Sequence, residues 1–387
     1  MKKTRQLVTI GLLATGLVAL YGCSSDAVQG EEDSGNIQPV ELKIRTSVEM
    51  AREATVGVVK GDAFAEGDTI AVYAHSEHYN TTSNNYALYK LSSSSWAAIG
   101  TTDKIYLSTE PATIYGVYPP KLEVTHNSAI DANTTAKITS LFTGKADEAD
   151  DGNKIILPST SNAANSSTET IHTAKGEKDC MWATAPGSSG TINATTPTAT
   201  LTMAHALALV SFKFYKDDTF KGTGKLTKIK LTKVDTSGEF KTGAATMKLS
   251  NGEITIESSA TEGTLTRFLY DDSTEGYTLK ALSELTGSTD GDKKATLPAF
   301  GMLVYPKTGL EADKVKAVFT IDDVDYPINI PAATADSNEW KAAYNTIYTV
   351  KMKSQELEIS VSVTQWADAT VSTELVPIDG TTTTGNN

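Results

Sequence analysis

Cysteine and arginine are both scarce in this sequence. Its 387 residues include two cysteines, Cys23 and Cys180, and four arginines among 34 basic residues. Cys23 ends an N-terminal signal pattern and is expected to be lipidated, so Cys180 has no partner for an intramolecular disulfide. The folded chain must therefore be stabilised by its buried core, which a chain of this length can supply.

An excess of positive charge is also absent. With the signal peptide removed, 31 basic and 47 acidic side chains remain, which gives a net charge of −16. A protein that binds nucleic acid, or anionic lipid through a basic patch, is expected to have the opposite balance. The acidic residues are spread along the chain, which indicates a solvated surface and argues against nucleic acid as a partner.

Long helical windows rich in Ala, Leu, Glu and Lys are missing as well. Thr, Ser, Gly and Asn are abundant and 15 tyrosines are present, which favours strands and turns. No repeat with a period of about 20 to 50 residues is visible, which argues against a solenoid or a propeller.

The N-terminus predicts export. A short basic start is followed by an apolar stretch from Leu7 to Leu20, which is too short to span a bilayer as a stable helix. Gly22 then precedes Cys23, as in the lipobox of bacterial lipoproteins. This pattern predicts a signal peptide over residues 1–22 and acyl chains on Cys23 that anchor the mature chain outside the cytoplasm. An ordinary cleaved signal with an accidental cysteine is the alternative.

The mature chain is predicted to be all-β, with two tandem β-sandwich domains. Period-two alternation of apolar residues from Val40 to Val48 predicts a half-buried first strand. Many short strands follow, with turns about every 8–12 residues. The polar residues 121–178 are interpreted as a long insertion or loop. The expected divisions are a flexible acidic tether, an N-terminal domain that carries this insertion, a C-terminal domain and a tail, at residues 23–36, 37–197, 198–366 and 367–387.

Catalytic and metal-binding patterns are not found in the sequence. It has no G-x-S-x-G elbow and no glycine-rich phosphate loop, and the acidic run at 147–151 fails the spacing of an EF-hand. His75 and His78 are spaced like metal ligands, but surface histidines in a loop are the preferred interpretation. His205 is interpreted as a satisfied, partly buried histidine, and Cys180 as a small buried hydrophobe. The sequence therefore predicts a non-enzymatic protein without a metal or cofactor.

The positions of the arginines suggest a processing site. Arg45 and Arg52 lie close together, in or just after the first mature strand. Chance is one interpretation of this spacing. The other is cleavage by an arginine-specific protease, which would free the tether together with the first strand.

Several short motifs follow the lipobox in a characteristic order. They are FAEGDTIAVY at 64–73, YGVYP at 115–119, DCMWA at 179–183, HALALVSF at 205–212, LVYP at 303–306, and the stretch from YTV at 348–350 to VTQW at 363–366. In their order and their spread over nearly all of the mature chain, they resemble the fimbrillin family, the type V pilins of anaerobic Gram-negative bacteria.

The resemblance implies two transthyretin-like β-sandwich domains and a lipoprotein precursor. It also implies a trypsin-like protease that cuts after an arginine in or beside the first strand. Arg52 best matches this position because it follows the first strand, whereas Arg45 is the second choice because it lies inside the strand. Loss of the strand would open a hydrophobic groove for a donor strand from the next subunit.

The donor strand would come from the tail beyond Trp366. Ala369, Val371 and Leu375 are apolar and lie at alternating positions, interrupted by Thr373. This pattern is compatible with a donor strand. A tail that completes its own domain is the alternative.

The expected function is that of a structural subunit of a type V-like pilus, polymerised by donor-strand exchange and supporting cell adhesion. Its partners would be other pilin subunits, the processing protease, and a glycan or protein receptor on a host or bacterial surface. The expected location is the outer membrane, through the lipid of the precursor, and then the extracellular fimbrium. A tip adhesin or anchor subunit is one alternative, and a glycan-binding surface lipoprotein that uses aromatic residues such as Trp96 is another.

Overall fold

The computed structural model describes most of the chain from residue 39 onwards. The described residues are 39–48, 54–55, 64–76, 85–100, 104–125, 130–141, 148–157, 171–185, 191–233, 240–257, 263–308, 315–331, 339–353, 357–365 and 371–373. Strands make up almost all of their regular secondary structure, which confirms the predicted all-β fold.

The strands of the N-terminal half are mostly short. They are β1 (Val40–Glu41), β2 (Lys43–Val48), β3 (Ala54–Thr55), β4 (Thr69–His75), β5 (Tyr86–Ser92), β6 (Ser95–Ala98), β7 (Tyr106–Leu107), β8 (Thr113–Tyr118), β9 (Glu123–Thr125), β10 (Thr135–Ile138), β11 (Lys154–Leu157), β12 (Ile171–Thr173), β13 (Met181–Ala185) and β14 (Thr198–His205).

The C-terminal half contains the longest strands. They are β15 (Ala208–Lys216), β16 (Lys225–Lys233), β17 (Ala245–Lys248), β18 (Ile254–Ile256), β19 (Thr264–Asp271), β20 (Thr274–Glu275), β21 (Tyr277–Thr278), β22 (Ala299–Val304), β23 (Val315–Ile321), β24 (Val324–Asn329), β25 (Tyr344–Met352), β26 (Leu357–Gln365) and β27 (Val371–Thr373). A 3-10 turn at Leu282–Glu284 and the helix α1 (Asp290–Ala295) lie between β21 and β22.

The first sheet has the strand order β2-β14-β13-β8-β4-β5-β6. Alternate residues of β14 are buried, because one face of the strand covers the core. Gly116 of β8 leaves space for β14, since a Cβ at this position would lie 2.9 Å from Leu201 Cδ1. This sheet carries the first strand, β2, at one edge and β6 at the other.

The second and third sheets pack face to face. The second has the order β27-β26-β25-β15-β22-β12-β3, and the main path of the third is β11-β19-β16-β23-β24. The ring of Phe319 in β23 lies 5.4 Å from Phe212 and 4.9 Å from Phe214, both in β15. These edge-to-face contacts lie in the apolar core of a β-sandwich.

The central strand β15 is buried along almost its whole length. Val210 and Phe212 belong to the sandwich core, whereas Leu209, on the other face, belongs to the core of the first sheet. Residues 37–387 accordingly form one compact unit. The strand β14, which the sequence assigned to the second domain, pairs within the first sheet. The division into two tandem domains stays a prediction.

The described parts of residues 121–178 include four short strands, so this stretch is not one long loop. β9 and β10 join β17 and β18 in a four-stranded sheet. β11 pairs in parallel with β19, and β12 with β22. Ile138 and Ile155 are among the apolar residues that these strands bury. Strands of three or four residues give too little alternation to stand out in a polar sequence.

The helix α1 begins after Thr289, whose side chain accepts a hydrogen bond from the Asp292 backbone N–H. The Asp292 carboxylate in turn accepts from the Thr289 backbone N–H, which completes a capping box. Within the described residues, no helix has the length and apolar character needed to cross a bilayer.

Candidate functional site: the slot of the first strand

The first strand, β2, lies at the edge of the first sheet. It pairs in parallel with β14 over six residues, from Lys43 opposite Thr198 to Val48 opposite Met203. Ile44 and Val48 point into the core and are buried, whereas Lys43 and Arg45 are exposed. We call the space filled by residues 40–48 the first-strand slot.

Backbone hydrogen bonds hold the start of this segment in place. The Lys43 N–H donates to the Pro197 carbonyl at 2.7 Å, and the Leu42 N–H donates to the Ile105 carbonyl at 2.9 Å. The buried Tyr89 hydroxyl donates to the Leu42 carbonyl at 3.0 Å. Burial, with a smaller contribution from Glu41, raises the pKa of Tyr89, so the hydroxyl keeps its proton for this bond at neutral pH.

The strand β6 lies at the opposite edge of the same sheet and approaches β2. The Trp96 indole Nε1 donates to the Thr46 Oγ1 at 2.8 Å. Phe64 packs below this contact, with its ring centroid 5.3 Å from that of Trp96 and 5.9 Å from that of Tyr118. The two edges are therefore joined through side chains above an aromatic cluster.

A groove of about 800 Å³ runs between the two edges; we call it the edge groove. It is lined by Lys43, Ile44, Arg45, Thr46, Ser47, Val48, Phe64, Leu91, Ser94, Ser95, Trp96 and Thr198. Among the described residues that line it, Lys43 and Arg45 are cationic and none carries a carboxylate.

Removal of β2 would change this site in two ways. The edge of β14 would lose its partner over six residues, which leaves backbone donors and acceptors ready to pair with another strand. The buried side chains of Leu42, Ile44 and Val48 would also leave the core, at a cost of about 1.5–3 kcal/mol each. The emptied slot would therefore favour an alternating strand from outside.

Of the cleavage candidates, only Arg45 lies among the described residues. Its side chain is exposed, but its backbone is paired with Thr200 of β14. Arg52 falls outside the described residues, between the end of β2 at Val48 and the start of β3 at Ala54. Cys23, the predicted lipidation site, lies outside them too.

The candidate donor segment is partly described. Val371 opens β27, which pairs antiparallel with β26 of the same chain and lies opposite Val363. Ala369 and Leu375 lie outside the described residues. In the single chain, the described part of the tail is thus an edge strand of the second sheet.

His205 and Cys180, which the sequence singled out, are both buried near β13. His205 is 2% exposed, and its Nδ1 lies 2.7 Å from the Asp179 Oδ2. The sequence predicted partial burial for His205, whereas the structure buries it almost fully and pairs its Nδ1 with Asp179, a partner that was not foreseen. Cys180 is also buried, and burial raises the pKa of its thiol, which makes it an unreactive core residue at neutral pH.

A buried ion pair was missed by the sequence reasoning. Arg267 of β19 and Glu177 are both 0% exposed at their side chains, and Arg267 Nε donates to Glu177 Oε1 at 2.7 Å. The other carboxylate oxygen accepts from the Leu303 N–H at 3.3 Å. The two partners are 90 residues apart, so no local pattern could predict their contact. The rarity of arginine was the only signal in the sequence that pointed to Arg267.

The histidines give no metal site in the described part of the chain. His75 ends β4, and His78 lies outside the described residues. No group of three or more His, Cys, Asp or Glu side chains that could hold a metal ion occurs among the residues that the structure describes.

Comparisons with known proteins agree with this architecture. Among solved structures, proteins described as cell adhesion proteins from Bacteroides uniformis and Bacteroides ovatus align with TM-scores of 0.52 and 0.50, each at 14% identity. The alignments cover 85% and 86% of this chain and 99% of each of those chains. At this identity the likeness shows a shared fold. A search of curated proteins finds no match.

A family model gives the assignment. The model described as fimbrillin-like matches residues 55–366. This match begins just after Arg52 and ends at Trp366, so it covers most of the chain, including all strands from β4 to β26. The chain belongs to the fimbrillin-like family.

Proposed function

We propose that this chain is a structural subunit of a type V-like pilus, exported as a lipoprotein precursor and polymerised by donor-strand exchange. Its family is one of fimbrial and cell adhesion proteins, which suggests a non-enzymatic surface protein that assembles with other subunits. The observation that carries the proposal is the first-strand slot. This slot is filled by the edge strand β2, which ends at Val48, shortly before the predicted cleavage site at Arg52.

The position of Arg52 supports cleavage at its carboxyl side. The strand β3 begins at Ala54 and pairs with β12 in the second sheet, whereas β2 pairs in the first sheet. A cut after Arg52 would therefore release β1 and β2 and leave β3 in place. The new N-terminus would be Glu53.

The burial of Arg267 limits the positions at which an arginine-specific protease could cut. Its guanidinium is fully buried and paired with Glu177, so a protease cannot reach it in the folded chain. Arg5 lies in the signal peptide. The exported, folded chain then offers such a protease only Arg45, inside a paired strand, and Arg52, between two strands.

The tail has the side-chain pattern that the slot requires. In the slot, the four alternating positions are apolar, apolar, threonine and apolar, namely Leu42, Ile44, Thr46 and Val48. The tail repeats this order at Ala369, Val371, Thr373 and Leu375. A donor strand running in the direction of β2 could place like residues at like positions along β14.

The slot is long enough for a donor strand. Its six positions along β14 exceed the three at which the described part of the tail pairs with β26 of its own chain. A donor strand in the slot would form backbone hydrogen bonds and bury its apolar side chains.

The test of processing is the N-terminus of the surface-extracted protein. We expect it to be Glu53 in the wild type. Arg52→Ala should leave the chain uncleaved, and the matched variant Arg45→Ala should still yield Glu53. A mature chain that still begins at lipidated Cys23 would contradict the shaft subunit and support an anchor or a retained lipoprotein.

The test of the donor strand is a truncation series. Deletion of residues 367–387 should abolish polymers while the monomer stays folded, because β27 is only an edge strand. Deletion of the polar residues 381–387 alone is the control and should leave polymers intact. Polymers that persist without 367–387 would show that the tail is not the donor.

A further inference from the structure

Two side-chain contacts of the first strand are made to residues that stay in the chain after the proposed cleavage. The Thr46 Oγ1 accepts from the Trp96 Nε1 at 2.8 Å, and the Glu41 carboxylate pairs with the Lys104 Nζ at 2.7 Å. A cut after Arg52 would take Thr46 and Glu41 away from these two partners. A strand that replaces the first strand is therefore expected to bring a hydroxyl and a carboxylate to the same two places.

The tail brings both groups in one register. When Thr373 is aligned with Thr46, Asp368 is aligned with Glu41, because the residues of each pair are five positions apart within their own segment. The apolar residues fall into place as well: Ala369, Val371 and Leu375 take the positions of Leu42, Ile44 and Val48. One alignment thus supplies the acceptor, the carboxylate and the apolar face.

Shifted registers lose these contacts. A shift of two residues in either direction places Thr373 at the position of Ile44 or of Val48, both of which are buried. An apolar residue then lies at the position of Thr46, and the Trp96 indole N–H loses its acceptor. A shift of one residue turns the polar side chains of the tail towards the core.

The direction of the donor strand is decided at Leu42. A reversed strand could keep the threonine in place, but Pro377 would then lie at the position of Leu42. The Leu42 N–H donates to the Ile105 carbonyl at 2.9 Å, and proline has no N–H to replace it. A reversed strand would also bring Ile378 to Lys104 in place of a carboxylate. The tail is therefore expected to run parallel to β14, as β2 does.

We propose that the tail of one subunit enters the emptied first-strand slot of the next in this single register, which is fixed by two contacts. The Thr373 Oγ1 accepts from the Trp96 Nε1, and the Asp368 carboxylate pairs with the Lys104 Nζ. This inference rests on the proposed function and adds the residues by which the slot recognises its donor strand.

Cysteine pairs in assembled polymers test the register. The exposed Ser47 Oγ lies 3.2 Å from the Thr202 Oγ1 of β14, and Glu374 is aligned with Ser47. A chain with Thr202→Cys and Glu374→Cys should therefore form disulfides between neighbouring subunits, seen as a ladder on a non-reducing gel. The matched chain with Thr202→Cys and Ser372→Cys should form none, because residue 372 reaches this place only in a reversed strand. Thr202→Cys alone controls for the buried Cys180.

Reversal of the charge pair is a second measurement and needs no cysteine. Asp368→Lys should weaken the association of subunits by about two- to five-fold, because the pair that it breaks is partly exposed. Adding Lys104→Asp should restore it. Asp379→Lys makes the same change in charge beyond the aligned positions and should leave association unchanged. The measurement is the denaturant concentration at which half of the polymers dissociate.

The size of Ala369 gives a variant that should strengthen the polymer. Ala369 is smaller than Leu42, which is 1% exposed, so its place in the slot is incompletely filled. Ala369→Leu should fill this space and raise the denaturant concentration needed for dissociation. In a reversed strand, residue 369 lies beyond the slot, and the same variant should have no effect.

Three results would overturn the inference. Disulfides in the Ser372→Cys chain but not in the Glu374→Cys chain would show a reversed strand and leave donor-strand exchange standing. Polymers of both chains without either disulfide would reject this register. A loss in Asp368→Lys that Lys104→Asp does not restore would reject the ion pair, and this result decides on its own if a cysteine chain does not assemble. Failure of the proposed function is distinct, because polymers would then persist without residues 367–387.

Discussion

Trp96 and Thr46 join the two edges of one seven-stranded sheet by a single side-chain hydrogen bond of 2.8 Å. The bond lies beside the edge groove and ties the strand that precedes Arg52 to the hairpin of β5 and β6. It is therefore one of the contacts that must break before β2 can leave.

The first prediction concerns this bond. Trp96→Phe and Thr46→Val should each destabilise β2 by about 1 kcal/mol, because each removes one partner of the bond. The double variant should lose little more than either single one. Hydrogen exchange of the amides at 43–48 measures the effect, and the exposed Thr255→Val in β18 is the control. Additive losses would show that the two residues do not interact.

The second prediction concerns the two faces of β2. Ile44→Ala should lower the free energy of unfolding by about 2–5 kcal/mol, because Ile44 is 5% exposed and its removal leaves a cavity. Arg45→Ala, one residue on and exposed, should change it by less than about 0.5 kcal/mol. Denaturant unfolding of both variants tests this. Equal effects would contradict the inward face assigned to Ile44.

The third prediction concerns the buried ion pair. Arg267→Met should destabilise the fold by about 3–5 kcal/mol, because it leaves the Glu177 carboxylate buried without its cation. Adding Glu177→Gln should restore part of the loss, since the buried charge is then gone. The partly exposed pair of Lys351 and Asp217, whose side chains are 26% and 23% exposed, is the control: Lys351→Met should cost less than about 1 kcal/mol. A double variant less stable than Arg267→Met would count against this account.

The fourth prediction concerns His172 in β12, the strand that pairs with β3. Burial lowers the pKa of His172 to about 4, below its usual value near 6.5. The unfolded chain therefore binds this proton more readily, so stability should fall as pH drops from about 6.5 to about 4, by about 3 kcal/mol from this group. Below that range the group should have no further effect.

The measurement for His172 is the difference between two stability curves. His172→Gln cannot take up the proton, so its unfolding free energy should fall less steeply with decreasing pH than that of the wild type. Carboxylates titrate in both proteins and cancel in the difference. Parallel curves between pH 4 and 6.5 would show that His172 does not have a lowered pKa.

Local patterns in the sequence predicted the first strand and its inward residues. Leu42, Ile44 and Val48 alternate as a half-buried strand should, and the structure buries all three. These features could be predicted because a strand with one buried face has an apolar residue at every second position.

Long-range partners could not be predicted in this way. Nothing in the local sequence tells that Glu177 meets Arg267, or that Trp96 meets Thr46, because each pair is 50 or more residues apart. The strands of 121–178 were also missed. They complete sheets whose other strands come mostly from the C-terminal half, so their stability comes from pairing rather than from their own composition.

The sequence by itself determined the all-β class, the alternation of the first strand and the pattern of the tail, because these depend on the order of neighbouring residues. Only the tertiary structure decided that β2 lies parallel to β14 at a sheet edge. It also decided that β6 closes in from the other edge, and that Arg267 is out of reach. These are relations between distant segments, and they are fixed by how the sheets share the burial of apolar side chains, which no single segment encodes.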